Sequence, residues 1–114
     1  MSLKLNARQV GDVTVIDVSG RITRGEESNA IREAVRHLTA GGTRKVLLNL
    51  EDVSFIDSAG IGEMVAGFTS LARAGGTMKL LNPTARVKDL LRITTLNTIF
   101  DIHEDEASAV RSFA

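Results

Sequence analysis

Residues 46–62 read VLLNLEDVSFIDSAGIG, and the two halves of this stretch predict different structures. Residues 46–50 are apolar and almost continuous, which is typical of a strand covered on both faces in a parallel sheet. After a short link, residues 55–62 predict a turn into a helix that begins near Ser58. Apolar residues then recur at helical spacing, at Ile61, Met64, Val65, Phe68, Leu71 and Ala72. We therefore expect a central strand followed by a strongly amphipathic helix.

A hairpin is predicted at the N-terminal end of the sequence. Leu3 and Leu5 alternate with polar residues, and Gly11-Asp12 is a turn signal. Residues 13–18 then form a β-branched run that Gly20 should end. These features indicate two antiparallel strands.

A first helix should connect the hairpin to the central strand. Thr23 and Glu26 have the spacing of a capping box, in which each side chain bonds a free amide at the helix start. One helical face follows, and Gly41-Gly42 marks its end. The apolar residues of this face are Ala30, Ile31, Ala34, Val35 and Leu38.

The C-terminal part of the chain predicts two more strands and two more helices after Gly75-Gly76. Residues 78–81 indicate a strand, and Asn82-Pro83 has the pattern of an N-cap followed by proline at the first position of a short helix. A short strand at 99–102 should precede a terminal helix with an acidic start. The residues expected to face inward from the two helices are Val87, Leu90, Leu91, Ala107, Val110 and Phe113.

This order of elements predicts a single α/β domain over residues 1–114. We expect a mixed, mostly parallel β-sheet with an N-terminal hairpin, packed with about four helices. The loop at 20–23, the turn at 55–62 and Asn82-Pro83 should then lie along one edge, at the carboxyl ends of the strands. Open α/β sheets carry their binding sites at this edge.

Composition limits the function classes. The 114 residues include 14 basic and 14 acidic side chains, and this balance argues against a nucleic-acid binder. The absence of cysteine excludes thiolate metal sites and cysteine catalysis. No apolar stretch approaches the roughly 20 residues that span a bilayer, and the first residues lack the apolar core of a signal peptide. We therefore expect a cytoplasmic protein with no membrane partner.

The segment from Asp57 to Gly62 carries the strongest functional signal. Glycine costs about 1 kcal/mol relative to alanine inside a helix, yet Gly60 and Gly62 stand in the first turn. Their missing side chains allow close approach of another backbone, either the protein's own or a partner's. Asp57 can cap the free amides of this turn and leave the Ser58 hydroxyl beside amides that are still unpaired.

Two interpretations of Ser58 follow. In the first, it is a helix-cap residue, and the glycines only ease packing of the helix on the sheet. In the second, it is a phosphorylation switch. A phosphoryl group would add about −1.5 to −2 charge, which a helix N-terminus accepts but a partner docked on a neutral surface does not.

At these residues the chain resembles the STAS domain family, and specifically the anti-sigma factor antagonists. Members carry an apolar central strand and then an Asp-Ser-(Ser or Ala)-Gly-(Leu or Ile)-Gly turn, here residues 46–50 and 57–62. The resemblance covers nearly the whole chain. It implies that Ser58 is phosphorylated by a serine kinase that is itself the anti-sigma factor. The unmodified form would capture this kinase, and a metal-dependent serine phosphatase would restore it.

The resemblance further implies a protein-binding switch that is not an enzyme and needs no cofactor. The residues expected to contact the partner are Thr23, Asp57, Ser58, Ala59, Gly60, Ile61 and Gly62. Many antagonists have Asp where this chain has Thr23, so a negative charge is lost there. Arg21 and Arg24 are either solvated loop residues or, if they approach Ser58, partners for a phosphate or an acidic protein.

The same residues argue against two enzyme classes and leave two binding roles. A serine hydrolase would need Gly-x-Ser-x-Gly, but Ile56 and Gly60 flank Ser58 at two residues' distance, and neither His37 nor His103 is placed as a base. A Gly-x-x-x-x-Gly-Lys-(Ser/Thr) loop for nucleotides is absent. Two binding roles stay open: a scaffold or accessory subunit of a signalling complex or transporter, and a module for a small ligand or nucleotide at the same edge.

Overall fold

The predicted hairpin forms and is longer than expected. In the computed structural model, which describes residues 3–23 and 29–114, β1 covers Leu3–Val10 and β2 covers Val13–Ile22. The two strands pair antiparallel over this whole length. Gly20 does not end β2. It lies inside the strand with φ +105°, next to a register shift against the following strand, and glycine adopts this conformation without strain.

Among the described residues, three further strands join the sheet: β3 at Lys45–Ile56, β4 at Thr77–Leu81 and β5 at Ile102–His103. The strand order is β1-β2-β3-β4-β5, and every pairing after the hairpin is parallel. This arrangement confirms the predicted mixed, mostly parallel sheet with an N-terminal hairpin. The residues predicted as a link after position 50 belong to β3, which is the central strand.

In the described part of the chain, four α-helices pack on the two faces of the sheet. They are α1 at Ala30–Ala40, α2 at Ser58–Arg73, α3 at Ala85–Ile93 and α4 at Glu106–Arg111. The larger core lies under α1, α2 and α3, and the smaller core lies under α4. Neighbouring residues of β3 alternate between them: Val46 and Leu48 face the larger core, and Leu47 faces the smaller one. The number of helices and the burial of β3 on both sides are confirmed.

Two predicted helix starts are wrong. Helix α1 begins at Ala30 after Asn29, so the capping box of Thr23 and Glu26 does not start it; Glu26 lies outside the described residues. The first buried residue of α1 is Ile31, which indicates that core packing rather than a local cap sets this start. Helix α3 begins at Ala85 with Thr84 as N-cap, whose hydroxyl accepts from the Val87 amide at 3.4 Å.

Asn82 is therefore not the N-cap of α3. It has φ +52°, a left-handed conformation that asparagine tolerates better than most residues, and the chain turns there before Pro83. The N-cap conformation of Thr84 is extended, with φ −63° and ψ 165°, as a capping hydroxyl requires. The prediction placed the helix start two residues early because proline often occupies the first helical position.

The C-terminal elements are shifted relative to the prediction. A 3-10 turn occupies Leu96–Thr98, and only the last of the residues predicted as a strand, Ile102, belongs to β5. In α4, Ala109 is fully buried and Ala107 is exposed, so the expected inward role of Ala107 is wrong. The helix starts at Glu106 after its N-cap Asp105, and this start turns Ala109 toward the sheet.

Candidate functional site

The turn after β3 projects beyond the rest of the parallel sheet. β4 ends at Leu81, opposite Asn49, while β3 continues to Ile56 with β2 alongside it. Ile22 lies opposite Ile56, so the loop at 20–23 and the turn at 55–62 lie side by side, as predicted. Asn82-Pro83 stops short of this position, because β4 is shorter than β3. All three segments therefore lie at the carboxyl edge of the sheet, as predicted, with Asn82-Pro83 set back from the other two.

Asp57 joins the start of α2 to the end of β2. Its Oδ1 accepts a hydrogen bond from the Gly60 amide at 2.8 Å, which makes Asp57 the N-cap of the helix. Its backbone amide donates to the Ile22 carbonyl oxygen at 3.2 Å. The extended backbone of Asp57, with φ −108° and ψ −174°, allows both bonds. The position of the following residue is thus set from two sides.

Gly60 and Gly62 face opposite environments. Gly60 is buried, and a β-carbon there would overlap the carbonyl oxygen of Ile22 and lie 2.7 Å from Cγ1 of Ile56. Gly62 is exposed, and no described atom outside its own turn lies within 4 Å of the position its β-carbon would take. Each of the two explanations offered for the glycines therefore applies to one of them. Gly60 admits the protein's own backbone, and Gly62 leaves a bare patch on the surface.

Ser58 is the first residue of α2 and its side chain is exposed. Ala59 and Thr23 are half-buried, and Ile61 is buried at 8% exposure. The predicted partner-binding residues are thus neighbours in the structure, but they differ in how far they are exposed. We call Ser58, Ala59 and Gly62 the Ser58 surface, since these residues present small side chains or none to solvent. Gly60 and Ile61 lie underneath.

Two arginines lie over one aromatic ring beside this surface. Cζ of Arg21 lies 4.8 Å from the centroid of the Phe55 ring, and Cζ of Arg86 lies 5.8 Å from it. Arg21 and Phe55 are opposite each other in the β2–β3 pairing. Sequence reasoning considered Arg21 but missed Phe55 and Arg86. The register of the two strands would have revealed Phe55, whereas Arg86 arrives from α3. Arg24 lies outside the described residues.

Neither histidine has the contacts that a catalytic base needs. His37 is exposed in the last turn of α1. His103 lies on β5, where its Nε2 is 3.0 Å from Oδ2 of Asp101, and the same nitrogen is 3.4 Å from the Ser112 hydroxyl. This contact lowers the pKa of Asp101, chiefly through the hydrogen bond to His103. A single nitrogen cannot relay a proton between the two groups, so this cluster is not a catalytic triad.

Residues 3–23 and 29–114 hold neither a metal-binding cluster nor a membrane-spanning helix. They contain no group of three His, Asp or Glu side chains that would hold a metal ion. None of the helices in this part of the chain has the length and apolarity to cross a membrane.

Known proteins are similar to this chain in sequence and in fold. The Anti-sigma-B factor antagonist of Bacillus subtilis (strain 168) is 29% identical over 111 residues, which are 97% of this chain and 100% of the relative. The crystal structure of an anti-sigma factor antagonist from Mycobacterium paratuberculosis superposes with a TM-score of 0.85 at 20% identity, over 98% of this chain and 94% of that one.

The same fold occurs in a structure of the Bacillus cell fate determinant SpoIIAA in its phosphorylated form. This structure has a TM-score of 0.75 and 21% identity, and the match covers 97% of this chain and 100% of that one. The family model of the STAS domain matches residues 4–109. Because this match spans nearly all of the sequence, the chain belongs to the STAS domain family.

Proposed function

We propose that this protein is an anti-sigma factor antagonist whose binding is switched by phosphorylation of Ser58. The unmodified form binds a serine kinase that is itself the anti-sigma factor, phosphorylation releases that kinase, and a metal-dependent serine phosphatase resets the switch. The protein acts as a regulated binding partner and not as an enzyme. The observation that carries this proposal is the exposed position of Ser58 at a helix start that Asp57 already caps.

Asp57 and Ser58 have separate roles, and this separation makes phosphorylation of Ser58 compatible with the fold. Because the Asp57 carboxylate accepts from the Gly60 amide, the Ser58 hydroxyl is not required to hold the first turn. In the transfer, the Ser58 oxygen attacks the γ-phosphorus of ATP, ADP leaves, and the hydroxyl proton passes to a base of the kinase. The added charge of about −1.5 to −2 then stands at the N-terminus of α2, where backbone amides and the helix dipole favour an anion.

Release of the kinase follows from the chemical character of the Ser58 surface. Its residues are small and uncharged, and Gly62 exposes backbone without any side chain. A partner packed closely over it would bury the phosphoryl charge without compensation, at a cost of several kcal/mol. Since each 1.4 kcal/mol is a factor of ten, we expect the affinity to fall by about a hundredfold or more.

Relatives support the same role. The Bacillus subtilis relative that aligns over its whole length is an Anti-sigma-B factor antagonist, and SpoIIAA, which shares the fold, has been solved in a phosphorylated form. A stable phosphorylated state is therefore compatible with this architecture.

The proposal is tested by phosphate transfer and by binding. Wild type, Ser58→Ala and Ser54→Ala are each incubated with ATP, Mg²⁺ and the purified anti-sigma-type serine kinases of the source organism. Ser54 is the matched control, because it is exposed on β3 and its hydroxyl donates to the Gly20 carbonyl at 3.3 Å. Wild type and Ser54→Ala should gain one phosphoryl group, located at Ser58 by tandem mass spectrometry, and Ser58→Ala should gain none.

Two results would contradict the proposal. One is phosphate on another residue of wild type, or no transfer from any of these kinases. The other is equal affinity of the modified and unmodified proteins for the same kinase, measured by calorimetry, which would remove the switch even if Ser58 is the acceptor.

A further inference from the structure

A small cluster of basic and aromatic side chains lies at the same edge of the sheet as the Ser58 surface. It consists of Arg21, the next-to-last residue of β2, Phe55, the next-to-last residue of β3, and Arg86, the second residue of α3. Both guanidinium groups lie over the Phe55 ring, at 4.8 Å and 5.8 Å from its centroid. We call these three residues the Arg–Phe cluster. Three separate elements of the fold bring it together.

The two arginines differ from Arg36 and Arg92, which are exposed but form ion pairs. Arg36 pairs with Glu33 at 2.8 Å and Arg92 pairs with Asp89 at 2.9 Å, each within its own helix. Neither Arg21 nor Arg86 has a carboxylate within ion-pair distance among residues 3–23 and 29–114, although both are exposed. Their side chains contact an aromatic ring instead. Within the described part of the chain the cluster therefore presents two uncompensated positive charges.

Contact with the ring prepares these groups for a ligand. An arginine that packs on an aromatic face loses part of its rotamer freedom, while its planar set of N–H donors stays available. Such a set matches the two oxygens of a carboxylate. Two guanidinium groups beside one ring thus favour a ligand with several carboxylates, and an acidic peptide segment has this chemistry.

The cluster is close to Ser58 along the chain and across the pairing of β2 with β3. Only Ile56 and Asp57 separate Phe55 from Ser58 in sequence, and Arg21 precedes Ile22, whose carbonyl bonds the Asp57 amide at 3.2 Å. We propose that the Arg–Phe cluster is the charge-recognition part of the docking surface and binds an acidic segment of the kinase anti-sigma factor. This inference rests on the proposed function and names the chemistry of its partner.

A peptide titration tests the cluster without needing the kinase. The full chain labelled with nitrogen-15 is titrated with a short polyglutamate peptide at about 10 mM ionic strength, where the Debye length is about 30 Å. We expect saturable shifts of the Arg21 and Arg86 side-chain N–H signals and of the Phe55 amide, with weaker binding at about 0.15 M, where the Debye length is about 8 Å. Polylysine of the same length should leave these signals unchanged.

Two double variants test whether the peptide binds the Arg–Phe cluster or is attracted to positive charge anywhere on the protein. Arg21→Gln with Arg86→Gln should lower the peptide affinity about tenfold or more, since exposed charge pairs contribute modestly and two are removed. Arg36→Gln with Arg92→Gln removes the same charge elsewhere and should retain the affinity. Melting curves of both double variants check that each remains folded. Equal losses in both double variants, or equal shifts at Arg36 and Arg92 in wild type, would overturn the inference.

Anionic lipid is the competing ligand, and the same proteins distinguish it. If vesicles of phosphatidylserine and phosphatidylcholine bind wild type but not the Arg21→Gln, Arg86→Gln protein, while polyglutamate binds neither, the acidic-peptide proposal is wrong. The proposed function has its own readout, phosphate on Ser58. Phosphate on Ser58 without peptide binding defeats the inference alone, and peptide binding in a protein that no kinase phosphorylates defeats the proposed function alone.

Discussion

Gly60 lies against the carbonyl oxygen of Ile22 so closely that a β-carbon at residue 60 would overlap it. The same oxygen accepts a hydrogen bond from the Asp57 amide at 3.2 Å, so the first turn of α2 sits on the end of β2 through backbone contacts. The contact holds Ser58 beside the loop at 20–23. A residue without a side chain therefore controls where the candidate phosphorylation site is presented.

We predict opposite effects of alanine at the two glycines of this turn. Gly60→Ala should lower the free energy of unfolding by about 1–3 kcal/mol, because the new methyl group overlaps backbone that cannot move freely. Gly62→Ala should raise it by about 0.5–1 kcal/mol, because alanine is the better helix former and the site is open. Urea unfolding of the two variants checks both values. Similar stabilities would show that the contact at Gly60 is not tight.

A larger residue at Gly62 tests whether the bare patch is a binding surface. Gly62→Leu should leave the protein at least as stable as wild type, because leucine is a better helix former than glycine and no described atom outside its own turn lies within 4 Å of a β-carbon there. It should weaken binding to the kinase that phosphorylates Ser58, since the leucine would prevent close packing. Melting temperature and calorimetric affinity measure the two effects. A strongly lowered melting temperature with unchanged affinity would place the residue in the protein's own packing.

The start of α2 was predictable because its determinants are local. Asp57 caps within one turn, and the apolar spacing of Ile61, Met64 and Leu71 matches the face that the structure buries. The start of α1 was not predictable in this way. Thr23 offered a good local cap, but α1 begins at Ala30, beside Ile31, which with Val35 is buried in the core.

The full length of β3 escaped prediction for a related reason. Glu51 and Asp52 are exposed and interrupt the apolar run, so their sequence alone resembles a loop. The strand continues because β2 pairs with it, with Gly20 opposite Val53 and Ile22 opposite Ile56. Pairings between distant segments leave little trace in a local pattern. The same is true of the contact between Arg86 and Phe55, which joins a helix to a strand.

Charge at position 58 should separate binding from folding. Ser58→Asp places a carboxylate at the first residue of α2, where the helix dipole favours it, so stability should stay equal to wild type or rise by about 0.3–1 kcal/mol. Its affinity for the kinase should fall, because the partner must cover the charge. Ser58→Ala is the matched control, which removes the hydroxyl without adding charge and should bind nearly as well as wild type. Equal affinities of the two variants would contradict exclusion by charge.

The final prediction concerns the pH dependence of stability and the ion pairs that Arg8 forms. Nε of Arg8 bonds Oδ2 of Asp17 at 2.6 Å, and its Nη2 bonds Oε1 of Glu106 at 2.6 Å, so one guanidinium joins β1, β2 and α4. These hydrogen bonds are the main cause that lowers the pKa of both carboxyl groups. The ion pairs should therefore stabilise the protein above about pH 4, the range in which these carboxyls titrate when unfolded. This stabilisation should be lost as the pH falls through the lowered pKa values.

Arg8→Gln should therefore change the pH dependence of stability as well as its level. At pH 7 we expect a loss of about 1 kcal/mol, a modest value because all three side chains are about one-third exposed to solvent. Between about pH 5 and pH 2 the variant should lose less stability than wild type, because protonation of Asp17 and Glu106 no longer breaks a bond to Arg8. Urea unfolding across this range measures the slope, with Arg36→Gln in an exposed pair within α1 as the control. Parallel curves for Arg8→Gln and wild type would show that the network contributes nothing to acid stability.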